Sequence, residues 1–279
     1  MLGAEARLLP RAAELARLHA EELPQKDELC GAFGTLLTLR LAGIGATDGG
    51  PFDQDTVGQA AGSVLGPEHY DEDLPPGEAG RKDYRLEHPR AAAEIAGTSA
   101  GGLVRAVTEL SAGRRVALGL VGPWTVETVA SLLETTLAEQ DAALVLNVGT
   151  RFFWGSRPSI AELLTYLETG DASAGPEPDW AVGHFVGCLG VLDGARGKLV
   201  IITDTYATLG LHGVHLQPIE RVAAALAREG MTPGGALLML PGERRDAVSS
   251  TVVRAGLEIG VWDNGSLDAR QPGAADAPR

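Results

Sequence analysis

Gln25-Lys26-Asp27-Glu28-Leu29-Cys30-Gly31-Ala32-Phe33 sets one of the chain's two cysteines at the start of an apolar helix. Asp27 suits an N-cap, and Phe33, Leu36, Leu37 and Leu41 recur at helical spacing before the stop at Gly43-Ile44-Gly45. The spacing therefore predicts a helix that carries Cys30 at its third position. A thiol placed there meets the free N–H groups of the first turn and the positive end of the helix field, which favour the thiolate, the species that attacks carbonyls. Gln25, just upstream, offers a side-chain amide to a developing oxyanion. Cysteine is also among the most buried residue types, so the reading of Cys30 as a nucleophile depends on partners elsewhere in the chain.

Composition narrows the function classes. The chain has 279 residues, 44% of them hydrophobic, enough for one large core or two modest ones. Its net charge of -14, without a Lys/Arg cluster, sets a repulsive field against a phosphate backbone, so nucleic acid is not an expected partner. Residues 2–23 read as an amphipathic helix with Leu8, Leu15 and Leu18 on one stripe, interrupted by charges and unlike a signal peptide. No run approaches a membrane span. Two distant cysteines do not make a disulfide framework, and the expected compartment is the reducing cytoplasm. The sequence leaves the oligomeric state open.

From Ala46 to Arg90 the chain is rich in Gly, Pro and acid, with a short helix expected around Asp55 to Leu65 and a long loop through Asp71-Glu72-Asp73. A helix from Thr98 to Ser111, a strand from Val116 to Val121, a helix from Pro123 to Glu139 and a strand from Ala143 to Val148 follow. Phe152, Phe153 and Trp154 then crowd together in a chain with only 5% aromatics, and are expected to wall a substrate cleft. Further helices are expected over Ser159 to Glu168 and Pro218 to Arg228, and a strand over Ala236 to Leu240. Asn264 to Arg279, made of Gly, Ala, Pro, Asp and Arg, is expected to be disordered.

Gly183 to Leu192 and Lys198 to Thr203, joined by Asp193-Gly194-Ala195-Arg196-Gly197, form the clearest hairpin. Folded symmetrically about Gly194, it sets His184 opposite Asp204 on one face. Paired Cβ atoms there lie about 4.5–5.5 Å apart, close enough for the carboxylate to orient the imidazole. Asp204 follows Leu199, Val200, Ile201 and Ile202, where a lone charge is costly to bury, and His184 is its natural partner.

Gln25, Cys30-Gly31, Gly183-His184-Phe185-Val186 and Asp204-Thr205-Tyr206, in that order, resemble the papain-like cysteine peptidase superfamily, in particular its C39-like and phytochelatin-synthase-like branches. The resemblance implies an α+β domain over residues 1–263, with an insertion around 46–115 and a nucleophile-bearing helix packed on an antiparallel sheet. It implies Cys30 as nucleophile, His184 as general base and acid, Asp204 as orienter and Gln25 as oxyanion donor. Gln25 stands five residues before Cys30, where that family usually has six. The expected activity is cysteine-dependent hydrolysis or acyl transfer on a small peptide, amide or thioester, without a cofactor. The competing reading is a binding or scaffold protein that keeps the fold without turnover.

Other motifs weigh less. Gly97-Thr98-Ser99-Ala100-Gly101 matches the serine-hydrolase elbow, but no buried strand precedes it, and Thr98 or Ser99 reads better as a helix N-cap. His212 and His215 read as loop histidines without a third metal ligand, Asp53 and Asp55 as solvated-loop residues, and Cys188 as a packing residue.

Overall fold

The computed structural model describes residues 4–47, 50–68 and 73–271. In chain order the elements are β1 (Glu5–Leu8), α1 (Ala12–Glu22), α2 (Cys30–Leu41), the short β2 (Ala46–Thr47) and β3 (Gly50–Pro51), α3 (Gln54–Ala61), α4 (Ala100–Leu110) and β4 (Arg115–Val121). There follow α5 (Val126–Ala138), β5 (Ala143–Gly149), α6 (Ile160–Thr169), β6 (Gly183–Asp193), β7 (Lys198–Thr203), β8 (Val214–Pro218), α7 (Ile219–Ala227), β9 (Gly235–Pro241), α8 (Arg245–Arg254) and β10 (Glu258–Ile259).

The apolar runs of β4, β5, β6, β7 and β9 join into an open antiparallel sheet ordered β10-β4-β9-β5-β6-β7-β8, with β1 on the far half of β6. The fold is α+β. Both faces of the sheet are covered, which is why its central strands lack a polar side. Leu144, Leu146 and Val148 of β5 pack with Leu238 and Leu240 of β9 against Val129 and Leu132 of α5, Val222 and Leu226 of α7 and Val248 of α8. The alternate residues Val145, Leu237 and Met239 pack with Phe185 against Leu103, Ala106 and Val107 of α4. Leu15 and Leu18 of α1 cover Phe33, Leu37 and Leu41 of α2 on that second side.

Several expectations are corrected. Residues 5–8 are a strand pairing with β6, and the N-terminal helix starts only at Ala12, after Pro10 breaks the chain. Strand β8 was not foreseen, because Val214-His-Leu-Gln-Pro has too few apolar residues to stand out. Part of the expected tail is ordered: Asp268 is buried in a two-pronged ion pair with Arg105 at 2.8 and 2.9 Å, and Leu267 N–H bonds Ile95 C=O. Residues 272–279, like Asp71 and Glu72, lie outside the described residues. Asp53 and Asp55 are not loop residues: Asp53 caps α3 in a capping box, and Asp55 is fully buried against Lys26.

The β6–β7 register differs from the symmetric one. Near the turn Asp193 pairs with Lys198 and Gly190 with Ile201; continued unchanged, this register would set Asp204 opposite Gly187 and away from the His184 face. A bulge at Leu189 shifts the ladder, so that Cys188 pairs with Ile202 and Gly187 with Thr203. Past the bulge, Asp204 falls level with Val186 and returns to the face of His184. Gly190 makes this possible: its φ is +147°, and a Cβ there would lie 2.3 Å from the Arg7 carbonyl oxygen of β1.

Candidate active site

Cys30 opens α2. It is the first helical residue rather than the third, with Leu29 as N-cap and no side-chain cap. The cause lies upstream: Glu28 adopts φ +64°, which breaks the backbone before Leu29, and Asp27 turns away to accept the Arg81 N–H at 2.7 Å. Gly31 lets the helix start sit deep against the sheet, since a Cβ on it would meet Leu103 at 2.8 Å and Phe185 at 3.2 Å. Cys30 stays half-buried and lines an open cleft of about 290 Å³, together with Thr98, Asn147, Gly183 and Arg228.

His184 and Asp204 are both buried, and Nε2 of the first lies 3.0 Å from Oδ1 of the second. The proton positions follow from the neighbours. The Thr205 hydroxyl donates its single proton to Gln25 Oε1 at 2.5 Å, so at 3.1 Å it accepts from His184 Nε2. Nε2 therefore bears hydrogen, which leaves Nδ1 as the ring's other nitrogen, and the nearby Cys30 acts on the same imidazole electrostatically. Burial pulls the imidazole pKa down, but the charge and hydrogen bond of Asp204, with Cys30 adding to them, raise it to about 10. Burial likewise pushes the Asp204 carboxyl up, and His184 and His215 more than reverse this, holding it well below the ordinary carboxylate range.

Gln25 is fully buried. Its N–H bonds Thr205 C=O at 2.9 Å, its Oε1 takes the Thr205 hydroxyl, and its Nε2 has no hydrogen-bond partner among the described residues. Both N–H donors of this buried amide nitrogen are thus unused, which is uncommon for a buried polar group.

Sequence reasoning missed several residues here. Trp180 sets its ring edge on His184 at 5.0 Å, and Tyr206 stacks on the same imidazole at 6.1 Å. His215, expected in a loop, stands on β8, buried, with Nε2 3.4 Å from Asp204 Oδ2. His19 of α1 donates from Nε2 to the Asp204 carbonyl at 2.5 Å. Its position one helical turn from Leu15 gave only a core signal.

Phe152, Phe153 and Trp154 do not line the cleft that holds Cys30. Phe153 and Trp154 are core residues, the first edge-on to His215 at 5.9 Å and the second against Tyr166, while Phe152 lies under the Arg151 guanidinium. Ser99 caps α4, its hydroxyl accepting from Gly102 N–H at 3.0 Å, the one hydrogen bond of that side chain among the described residues. Cys188 is buried beside the bulge, and burial pushes its thiol up to about 12. Among the described residues no three His, Cys, Asp or Glu group as a metal site, and no helix is long and apolar enough to cross a membrane.

Neither the comparison with curated proteins nor that with solved structures gave a match. Residues 9–263 match the family described as a family of unknown function, DUF6885, and the chain belongs to that family.

Proposed function

We propose that this protein is a papain-like cysteine hydrolase or acyltransferase with a narrow range of small peptide, amide or thioester substrates. The observation that carries the reading is the grouping of Cys30, the His184 ring on which it acts, the Asp204 carboxylate 3.0 Å from that ring, and Gln25, joined to the ring through the Thr205 hydroxyl and with its buried amide nitrogen unused. Charge and hydrogen-bond direction agree with the roles. His184, raised to about 10, holds its second proton at neutral pH and is a ready acid.

In the first step Cys30 reacts as the thiolate paired with the His184 imidazolium: Sγ bonds to the substrate carbonyl carbon, and the oxygen takes the electron pair beside Gln25 Nε2 and the first-turn N–H groups of α2. His184 Nδ1 gives its proton to the leaving nitrogen as the C–N bond breaks, leaving an acyl thioester. Water or an amine then attacks the thioester, Nδ1 takes its proton, and the C–S bond breaks to return the thiolate. Asp204 keeps the ring in the orientation and tautomer that both transfers need.

The test is labelling at neutral pH followed by peptide mapping. Iodoacetamide should modify Cys30 stoichiometrically and spare Cys188. Activated acyl esters should leave an acyl adduct on Cys30 in the wild type and none in Cys30→Ala. Equal, slow labelling of both thiols would leave a scaffold without turnover. Release of the acyl group that rises with amine concentration identifies a transferase, and indifference to amine a hydrolase.

A further inference from the structure

Arg228 follows the last residue of α7 and is held in a way that neither packing nor capping requires. Its backbone is left-handed, φ 52° and ψ 51°, a place where helices ordinarily set glycine or asparagine. Its side chain runs beside Gly149 and Gly234, and the residue is 4% exposed. Among the described residues it has no carboxylate partner. Among those residues its side chain makes one hydrogen bond, from Nη1 to the neutral Asn147 Oδ1 at 3.0 Å, and its Nε is buried with no partner. Asn147 in turn donates to the His184 carbonyl at 3.3 Å. A Cβ on Gly183 would lie 2.7 Å from Arg228 Nη2, so the guanidinium stands over the residue that precedes His184, on the wall of the cleft that Cys30 lines. Burial and the nearby Arg151 both act against its charge.

A buried guanidinium without a counter-ion, in a chain of net charge -14, is strongly disfavoured unless something else supplies the anion. We infer that Arg228 binds a carboxylate of the substrate, so that the group placed over Cys30 belongs to an acyl compound with a free carboxylate close to the reacting carbonyl. One guanidinium matches one carboxylate in charge and planar geometry. A dianionic phosphate fits less well, because the same cleft carries Glu28, Asp73 and Glu94 on its other walls. Those acids favour a cationic or neutral group at the far end of the same substrate. This inference rests on the proposed role of Cys30.

Iodoacetate and iodoacetamide test it, being alkylating agents of nearly equal size that differ in a carboxylate. In the wild type the iodoacetate-to-iodoacetamide rate ratio at Cys30 should exceed that of free cysteine by about tenfold, the scale of one charged hydrogen-bonded pair. In Arg228→Gln the ratio should fall to that of free cysteine, and in Arg228→Lys it should be partly kept. N-acetylglycine should slow iodoacetamide labelling of the wild type where N-acetylglycinamide does not, a reading that needs no variant to fold. Wild-type Cys30 labelled rapidly by iodoacetamide but without preference for iodoacetate overturns carboxylate binding and leaves the nucleophile standing. A ratio unchanged in Arg228→Gln overturns Arg228 as its source. A Cys30 that reacts no faster than Cys188 removes the proposed function itself.

Discussion

His215 Nε2 stands 3.4 Å from Asp204 Oδ2, the carboxylate oxygen that His184 leaves free. Gln217 donates to His215 Nδ1 at 3.0 Å, which fixes the proton on Nε2, and Gln217 is itself clamped to both backbone groups of Trp154. Asp204 is thus braced from a second strand. His215→Phe should lower the acylation rate of Cys30 several-fold and reduce stability by about 1–3 kcal/mol, the usual range for leaving a buried polar group short of a partner. Single-turnover acylation and chemical denaturation measure the two; an unchanged rate would limit His215 to packing.

Stability should depend on pH through the His184–Asp204 pair. His184 is raised from an ordinary 6.5 to about 10, so its contribution is complete below pH 6.5 and is lost as pH rises through 10. Asp204 is depressed, so its contribution is complete above its ordinary 3.8 and is lost as pH falls below that value. Melting temperatures of the wild type and His184→Gln should converge between pH 6.5 and 10. Parallel curves across that window would show that the imidazolium is not held by its partner.

Gly190→Ala should destabilise the chain by about 1–3 kcal/mol, because a Cβ at φ +147° is strained and meets the Arg7 carbonyl. The change strikes the bulge that aligns Asp204 with His184, so the folded fraction should also label more slowly at Cys30. A variant that loses stability but labels at the wild-type rate would separate the bulge from the site.

Lys26 Nζ lies 2.7 Å from Asp55 Oδ2, with both side chains buried, between Gln25 and the loop that carries Asp83. Asp55→Asn leaves an uncompensated ammonium there and should cost about 3–5 kcal/mol. The double change Lys26→Met with Asp55→Leu should recover much of it. Denaturation midpoints decide, and a harmless Asp55→Asn would mean that water reaches Lys26.

Where local pattern governs, the sequence was legible. Strand β7 occupies Lys198 to Thr203 as expected, and α2, α4, α5 and α6 lie within a few residues of their expected bounds, because apolar periodicity and the Ser99 and Ser159 caps are local signals. Cys30, His184, Asp204 and Gln25 are brought together, yet the His184–Asp204 contact forms in a register other than the symmetric one expected. The symmetric turn and the real bulge both keep the two residues on one face, and the bulge depends on the close approach of β1 to Gly190, which no local pattern in the hairpin encodes. His19, His215 and Arg228 were illegible for one shared reason: each matters through a neighbour far along the chain, and no spacing rule encodes that neighbour.

Strand β9 lies between β4 and β5 and bonds to both, although among the described residues it is the ninth of ten strands along the chain. During synthesis the two halves of the sheet therefore wait with open edges until residues 235–241 emerge, so the sheet closes only after β4 to β8 have all been made. Until β9 is made there is no united sheet beneath Cys30, which ties the onset of any chemistry at this thiol to the arrival of that one strand.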